Sequence, residues 1–485
     1  MRWHVALVLT LLLLITEPIR ATDLRHSEDA SLRALQFLDD KEGWIVGDEG
    51  TILHTLDGGK NWERQPTGVR ASLRSVYFLS PSVGWACGRE ELPFGMGSVG
   101  ILLFTSDGGL EWKKQLSDTL PGLNQIRFLD GKVGYLLGEG NDQFPSGVFR
   151  TTDSGRTWEP VPGPRTTGWL AGDFYDANNG ILAGAWSRFA TLRNGKITLA
   201  EHADVLAGRD ISSLRILGKK SIAVAQGGLV LSSSSGGAGW EAVKQSLSVD
   251  LLANLDLHSM HVVKDHLWIV GRPGSVVLHS PDGGARWTMH KTGQPFALHA
   301  VYFFDEKRGW AVGDAGTILG TEDGGKTWTT RHQGAKQLAA LAIHASHKTA
   351  PVDALAHLGG AEGHLTASLC VTSPDPRAVA WGRTLDARRY AAAMRQAGAM
   401  TGETLWHFPL PQFLEGSDKK AILAYWNEQY HKESAAEELI RQLVLTLRIH
   451  RPLVVLGEHP RSKQALGSLV GEAIDRSGMA RATLA

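Results

Sequence analysis

The stretch TILHTLDGGKNW, Thr51 to Trp62, returns along the chain as GILLFTSDGGLEW, GVFRTTDSGRTW, SVVLHSPDGGARW and GTILGTEDGGKTW. A chain that repeats one small unit must stack the copies or close them into a ring, because a single unit cannot bury its own apolar face. Each copy follows an opener of the form apolar, x, x, apolar, x, apolar, starting at Leu32, Leu73, Leu123, Trp169, Ile211, Leu257 and Leu298. A second extended run comes next, as in GWIVGDEG, GWACGRE, GYLLGEG, LWIVGRPG and GWAVGDAG, then a third run, the turn, and a strand that starts at Trp. Four short strands separated by Gly-rich turns make an antiparallel blade. Seven blades predict an all-β seven-bladed propeller over residues 24–335.

The openers are spaced by 41, 50, 46, 42, 46 and 41 residues. Between the Gly closing the second run and the Thr closing the third, the first unit has eight steps, the second seventeen and the third thirteen. Those excesses account for the wide spacings at units two and three, so the blades are uniform and their second-to-third loops are not.

In T-x-D-G-G-x-x-W the carboxylate is placed to accept bonds from turn N–H groups, the glycines permit positive φ, and the Trp covers the neighbouring strand. Asp57, Asp107, Asp153, Asp282 and Asp323 therefore read as structural turn caps. Two units lack the Asp, with Ser235 and Arg193 in its place, as expected of a scaffold rather than a catalytic loop.

The combination of GW-x-x-G, G-T-I-L-x-T and D-G-G-x-x-W resembles the photosystem II assembly/stability factor family, within the Asp-box (BNR-like) repeat propellers, over most of residues 30–335. That resemblance implies a non-enzymatic, protein-binding propeller; similar domains occur in exported bacterial proteins with no link to photosynthesis. A sialidase-like glycosidase also carries Asp turns, but it needs an Arg cluster and a Tyr nucleophile with an acidic partner. No Arg-Ile-Pro signature stands near the first unit.

The beginning of strand one and the loop from strand two to strand three share one face of a propeller. At the second opener position this face offers Arg33, Arg74, Asn124, Leu170, Ser212, His258 and His299. Ring closure makes His258, His299, Arg33 and Arg74 a contiguous basic arc. The long loops Arg89–Gly100 and Glu139–Gly147 adjoin it, with Phe94, Met96 and Phe144 as candidate anchors for a partner. Paired Arg33→Ala and Arg74→Ala changes are expected to weaken capture with little effect on melting.

Fifty basic residues balance fifty acidic ones, which argues against nucleic acid as a partner. At the N-terminus a basic residue precedes an apolar run from Val5 to Ile15, too short to span a bilayer, and a polar stretch ends at Ala21. Residues 1–21 read as an export signal, which leaves no stable transmembrane segment and places the chain in a periplasmic or extracellular compartment. Cys87 and Cys370 are the only cysteines and make no disulfide framework.

Near Leu338 the Asp turns stop and the composition becomes Ala- and Leu-rich. VDALAHLGG, LTASLCVTSPD and LVVLG read as strands; LDARRYAAAMRQAGA, AAEELIRQLVLTLRIHRP and SKQALGSLVGEAIDRSG read as helices. The alternation predicts a smaller α/β, Rossmann-like domain over residues 338–485. ALAH, VTSPD, R-x-Y-A-A-A-M-x-x-A-G-A, RPLVVLGEHP and ALGSLVGEAI resemble the N-acetylglucosaminyl-phosphatidylinositol deacetylase (PIG-L/LmbE) family. The resemblance implies a zinc site built from a His and a carboxylate at the first strand end and a later His, with a neighbouring Asp as base.

His357 matches the first ligand, but Gly359 and Gly360 stand where the Asp pair belongs, with only Glu362 nearby. His459 and Pro460 match the later motif, and Ser462 replaces its last His. With His357, Glu362 and His459 as the remaining candidates, no metal and no cofactor are expected. The reading is an exported, non-catalytic propeller that binds a protein or envelope partner, with a zinc-dependent amide hydrolase as the alternative.

Overall fold

The seven openers each form the first strand of a four-stranded antiparallel sheet, and the sheets occupy residues 32–65, 72–115, 123–160, 169–199, 211–242, 256–291 and 298–332. This is a seven-bladed propeller, seen in a computed structural model that describes residues 29–92, 97–115, 120–200, 209–244, 247–252, 254–334, 337–374, 387–414, 416–429, 434–457 and 467–478. The export signal lies outside these residues.

Aromatic stacking joins the blades. Where the second strand carries an aromatic residue near its start, that ring lies on a Phe at or near the end of the first strand of the next blade: Trp44 on Phe78 at 3.6 Å, Tyr135 on Phe174 at 4.2 Å, Trp268 on Phe303 at 3.7 Å. Trp310 of the seventh blade repeats the contact on Phe37 of the first, also at 3.7 Å, and the Tyr302 hydroxyl donates to the Phe37 carbonyl. The same two residue types that pack neighbouring blades thus close the ring, and flat ring-on-ring burial supplies much of the apolar contact.

In the turns, Asp57 accepts from the N–H groups of Lys60 and Asn61 and from the Thr55 hydroxyl. Asp107, Asp153, Asp282 and Asp323 accept equivalent bonds. Ser235 keeps one of them, from Gly239. At Arg193 the turn is instead a tight hairpin through Asn194 and Gly195, both at positive φ.

After the propeller, four strands, Ala340–His344, Thr366–Cys370, Thr401–Thr404 and Val454–Gly457, form an all-parallel sheet in the spatial order third, second, first, fourth. Helices Ala387–Gln396, Lys419–Gln429, Ala435–His450 and Gly467–Ser477 accompany it. One expectation needs correction. VDALAHLGG is not a strand: Val352–Leu355 is α-helical and Ala356–Ala361 continues as a π-helical turn. The first strand is instead ALAIH, wholly buried between its neighbours and apolar up to the hydrogen-bonded His344 at its end, which removes the alternation that marks a strand in sequence.

Candidate partner-binding face

All seven first strands share one irregularity. Pairing with the second strand skips the second opener position: Leu32 faces Gly47 and Ala34 faces Val46, leaving Arg33 unpaired, and the same holds at Arg74, Asn124, Leu170, Ser212, His258 and His299. Each is a β-bulge, a device that redirects a side chain at the rim of a sheet. The residue opposite is glycine in six blades, because a Cβ there would meet backbone: 2.1 Å from the Ser72 carbonyl oxygen at Gly88 and 2.0 Å from that of Ala297 at Gly313. The second Gly of GW-x-x-G is the mark of this bulge.

Several bulge side chains reach the next blade. The Asn124 amide donates to the Trp169 carbonyl, the Ser212 hydroxyl to that of Leu257, and His258 Nδ1 lies 3.0 Å from the Leu298 oxygen. The His258 and His299 rings stack at 5.2 Å. Arg33 binds Asp48 through Nε and Nη2, and its Nη1 is 2.8 Å from His299 Nε2, which is 2.6 Å from Asp314.

The expected basic arc is thus assembled side by side, but it is a charge network rather than an open row of cations. The Arg33 side chain is 10 % exposed and that of Asp48 6 %. Asp48 and Asp314, which sequence reasoning passed over, follow the second Gly in GWIVGDEG and GWAVGDAG and were marked by that position. Burial alone would raise the Asp48 pKa, but Arg33, then Arg395 and Arg74, hold it far below the carboxylate range. Burial, then His299, pushes His258 down to about 4, so it is neutral at ordinary pH. Arg74 differs from Arg33: burial and the neighbouring Arg89 and Arg33 lower its pKa, and its Nε is buried without a hydrogen-bond partner.

The long loops stand beside this network. Arg89, 3 % exposed, lies 2.9 Å from Glu91 and 2.8 Å from Glu139, which also accepts from Ser98. Much of the extra length in blade two extends its strands, Gly84–Glu91 and Ser98–Thr105. Phe94 and Met96 lie outside the described residues. Phe144 is half-buried against Phe149 at 5.1 Å, so it is partly engaged in the blade itself.

The C-terminal unit sits on this same face. Arg395 Nε stands 4.0 Å from Asp48, the Gln396 amide donates to the Glu91 carbonyl, and Arg272 bridges Asp256 of the sixth blade to Glu403. Arg209 lies 4.4 Å above the Trp406 ring, and the Gln442 amide donates to Asn254. Between the unit and the first blade lies a crevice of about 710 Å³ whose lining includes Asp48, Arg64, Arg70, His364 and Arg395.

His357 is not at a strand end. It lies on the helical turn, exposed, 3.1 Å from Glu362, which also meets His364 at 3.1 Å. The strand-end histidine is His344, buried and bonded to Ser368 and Tyr390. His459 lies outside the described residues, and among those described no three His, Cys, Asp or Glu side chains are grouped to hold a metal.

Blade count, Asp turns and the bulged mouth define an Asp-box β-propeller with a second unit seated on one face. The profile of the family described as "Photosynthesis system II assembly factor YCF48" matches residues 17–168 and 210–296, most of the propeller. Photosystem II assembly protein Ycf48 of Synechococcus sp. (strain JA-3-3Ab) is 28 % identical over 57 % of this chain and 80 % of its own length. Photosystem II assembly lipoprotein Ycf48 of Picosynechococcus sp. is 27 % identical over 60 % of this chain and 84 % of its own. A 40 % identical match to the Ycf48 of Synechococcus sp. (strain JA-2-3B'a(2-13)) spans 17 % of that relative. The structure titled "YCF48 bound to D1 peptide" is 20 % identical, with TM-score 0.48, over 61 % of this chain and 92 % of that one.

Proposed function

We propose that this chain is an exported, non-catalytic propeller that holds a protein partner against its mouth face and assists that partner's assembly in a periplasmic or extracellular compartment. The observation that carries this reading is the match of most of the propeller to the assembly-factor family, together with its likeness to curated relatives over 80 % and 84 % of their length. The Asp carboxylates are engaged in turns, which fits scaffold rather than catalysis. The names of relatives as lipoproteins fit an exported or membrane-associated chain.

The site follows from the bulges. Arg33, Arg74, His258 and His299 converge on the mouth, and Arg74 is a guanidinium among like charges, suited to a carboxylate from a partner. Phe144, with Phe94 and Met96 in the adjoining loop, would border the contact. The strand order of the C-terminal sheet fits a Rossmann-like docking module over residues 338–485, following a propeller of residues 24–335 and a signal at 1–21.

The test is co-purification from envelope extract with wild type and Arg74→Ala. A loss of capture of about tenfold or more is expected, the size of a hot-spot arginine, with unchanged melting. Equal capture by both proteins would contradict the site.

A further inference from the structure

The contacts between propeller and C-terminal unit are of two kinds. Next to the connecting chain they are apolar: Phe296 and Ala315 of the propeller share one buried cluster with Leu338, Leu341 and Leu447, and Phe296 lies 5.9 Å from the His450 ring. Others are polar: Arg272 with Glu403 and Gln442 with Asn254, which line one small pocket with His450 beside the apolar seat, the Arg209–Trp406 contact, and, at the first and second blades, Arg395 with Asp48 and Gln396 with the Glu91 backbone. The 710 Å³ crevice opens at the first blade. An apolar seat beside the connection and polar contacts alone at the Arg395 edge, over the crevice, are the anatomy of a hinge and a latch, because a hydrogen bond or ion pair exchanged with water contributes less net stability than apolar burial.

The latch lies over the arc. Arg395 reaches the carboxylate that Arg33 already holds, and Glu403 presents its own carboxylate to Arg272, whose other partner, Asp256, is two residues from His258. We infer that the C-terminal unit is a reversible cap on the propeller mouth, in which Glu403 holds in cis a guanidinium that an acidic segment of a protein partner takes when the cap lifts. This rests on the mouth being the partner-binding face. It explains why an α/β unit with a metal motif incomplete in sequence is joined to a binding propeller: its work is done by the surface it covers.

The full-length chain tests this with a fluorescein-labelled decaglutamate peptide as probe. Glu403→Gln leaves every propeller residue intact and weakens the latch, so the peptide is expected to bind about tenfold tighter, as the closed fraction falls. A Glu91→Cys/Gln396→Cys pair joined by a short bismaleimide holds the latch shut and is expected to lose binding; Cys87 and Cys370 are buried and do not compete for the reagent. Equal binding by wild type, Glu403→Gln and the linked protein would overturn the cap.

Hydrogen exchange separates this from failure of the binding reading. Faster exchange of residues 72–76 and 89–91 in Glu403→Gln, and slower exchange in the linked protein, is expected even if no variant binds the peptide. Identical exchange in all three would overturn the cap on its own.

Discussion

Asp48 of the first blade and Arg395 of the C-terminal helix stand 4.0 Å apart, and Asp48 at the same time holds Arg33 and accepts from the Ser72 hydroxyl. One carboxylate therefore ties together two blades and the second unit. Replacing it by Asn leaves Arg33, Arg74 and Arg395 facing one another without their shared counter-charge. Breaking a buried pair by removing one partner costs about 3–5 kcal/mol, so Asp48→Asn is expected to lose stability on that scale in denaturant titrations. A loss below about 1 kcal/mol, the worth of an exposed pair, would mean that Asp48 does not organise the mouth.

The same logic revises the paired Arg33→Ala, Arg74→Ala change. Removing Arg33 strands Asp48, so the double variant is expected to melt lower. Arg74→Ala alone removes a guanidinium crowded by like charges and is expected to melt at or above the wild-type temperature. A marked fall in melting temperature for Arg74→Ala would contradict this account of its surroundings.

Gly88 tests the bulge. A Cβ there falls 2.1 Å from the Ser72 oxygen, whereas nothing lies within 4 Å of a Cβ on Gly131. Overpacking of this kind costs about 1–3 kcal/mol or more, so Gly88→Ala is expected to melt several degrees lower and Gly131→Ala to melt as wild type. Equal melting would show that the strands do not approach so closely.

The repeat made most of the propeller legible. The GW aromatics and the Phe that ends five of the seven openers state the inter-blade stacking, and the turn residues state where strands reverse. What stayed hidden was non-local. The spacing puts Arg33 beside His299 at the ring closure, but nothing in it says that Asp48 and Asp314 pair with them, or that Arg395, more than three hundred residues away, reaches Asp48. In the C-terminal unit ALAIH is apolar up to His344 because both faces of a parallel strand are buried, so it carries no period to read, whereas VDALAHLGG reads as a strand and folds as helix.

Acid is expected to destabilise the chain. His258, His407 and His450 are each lowered by burial to about 4, so the folded state binds fewer protons than the unfolded one between about pH 6.5 and 4. Their full contribution is present above pH 6.5 and is lost as pH falls through that window. His407 and His450 belong to the unit on the mouth, so the loss should include its docking. Unfolding free energy that is flat from pH 7 to 5 would contradict the buried neutral state.

Ser235 offers a gain. Its hydroxyl accepts one turn N–H where the carboxylates of Asp57 and Asp282 accept two. Ser235→Asp is expected to add about 0.5–1 kcal/mol, the scale of a local cap, read from the denaturant midpoint; a lower midpoint would mean that the fifth turn is not of the same kind.

The most direct measurement of the central claim is site-specific photo-cross-linking in the intact chain, with the reactive group at Gln143 in the long loop of the third blade or at Leu110 in an Asp turn. Both positions are exposed, on opposite faces of the ring. A partner that docks on the mouth face yields one protein adduct at position 143 and none at 110. Adducts at 110 alone would place binding on the Asp-turn face and contradict the account.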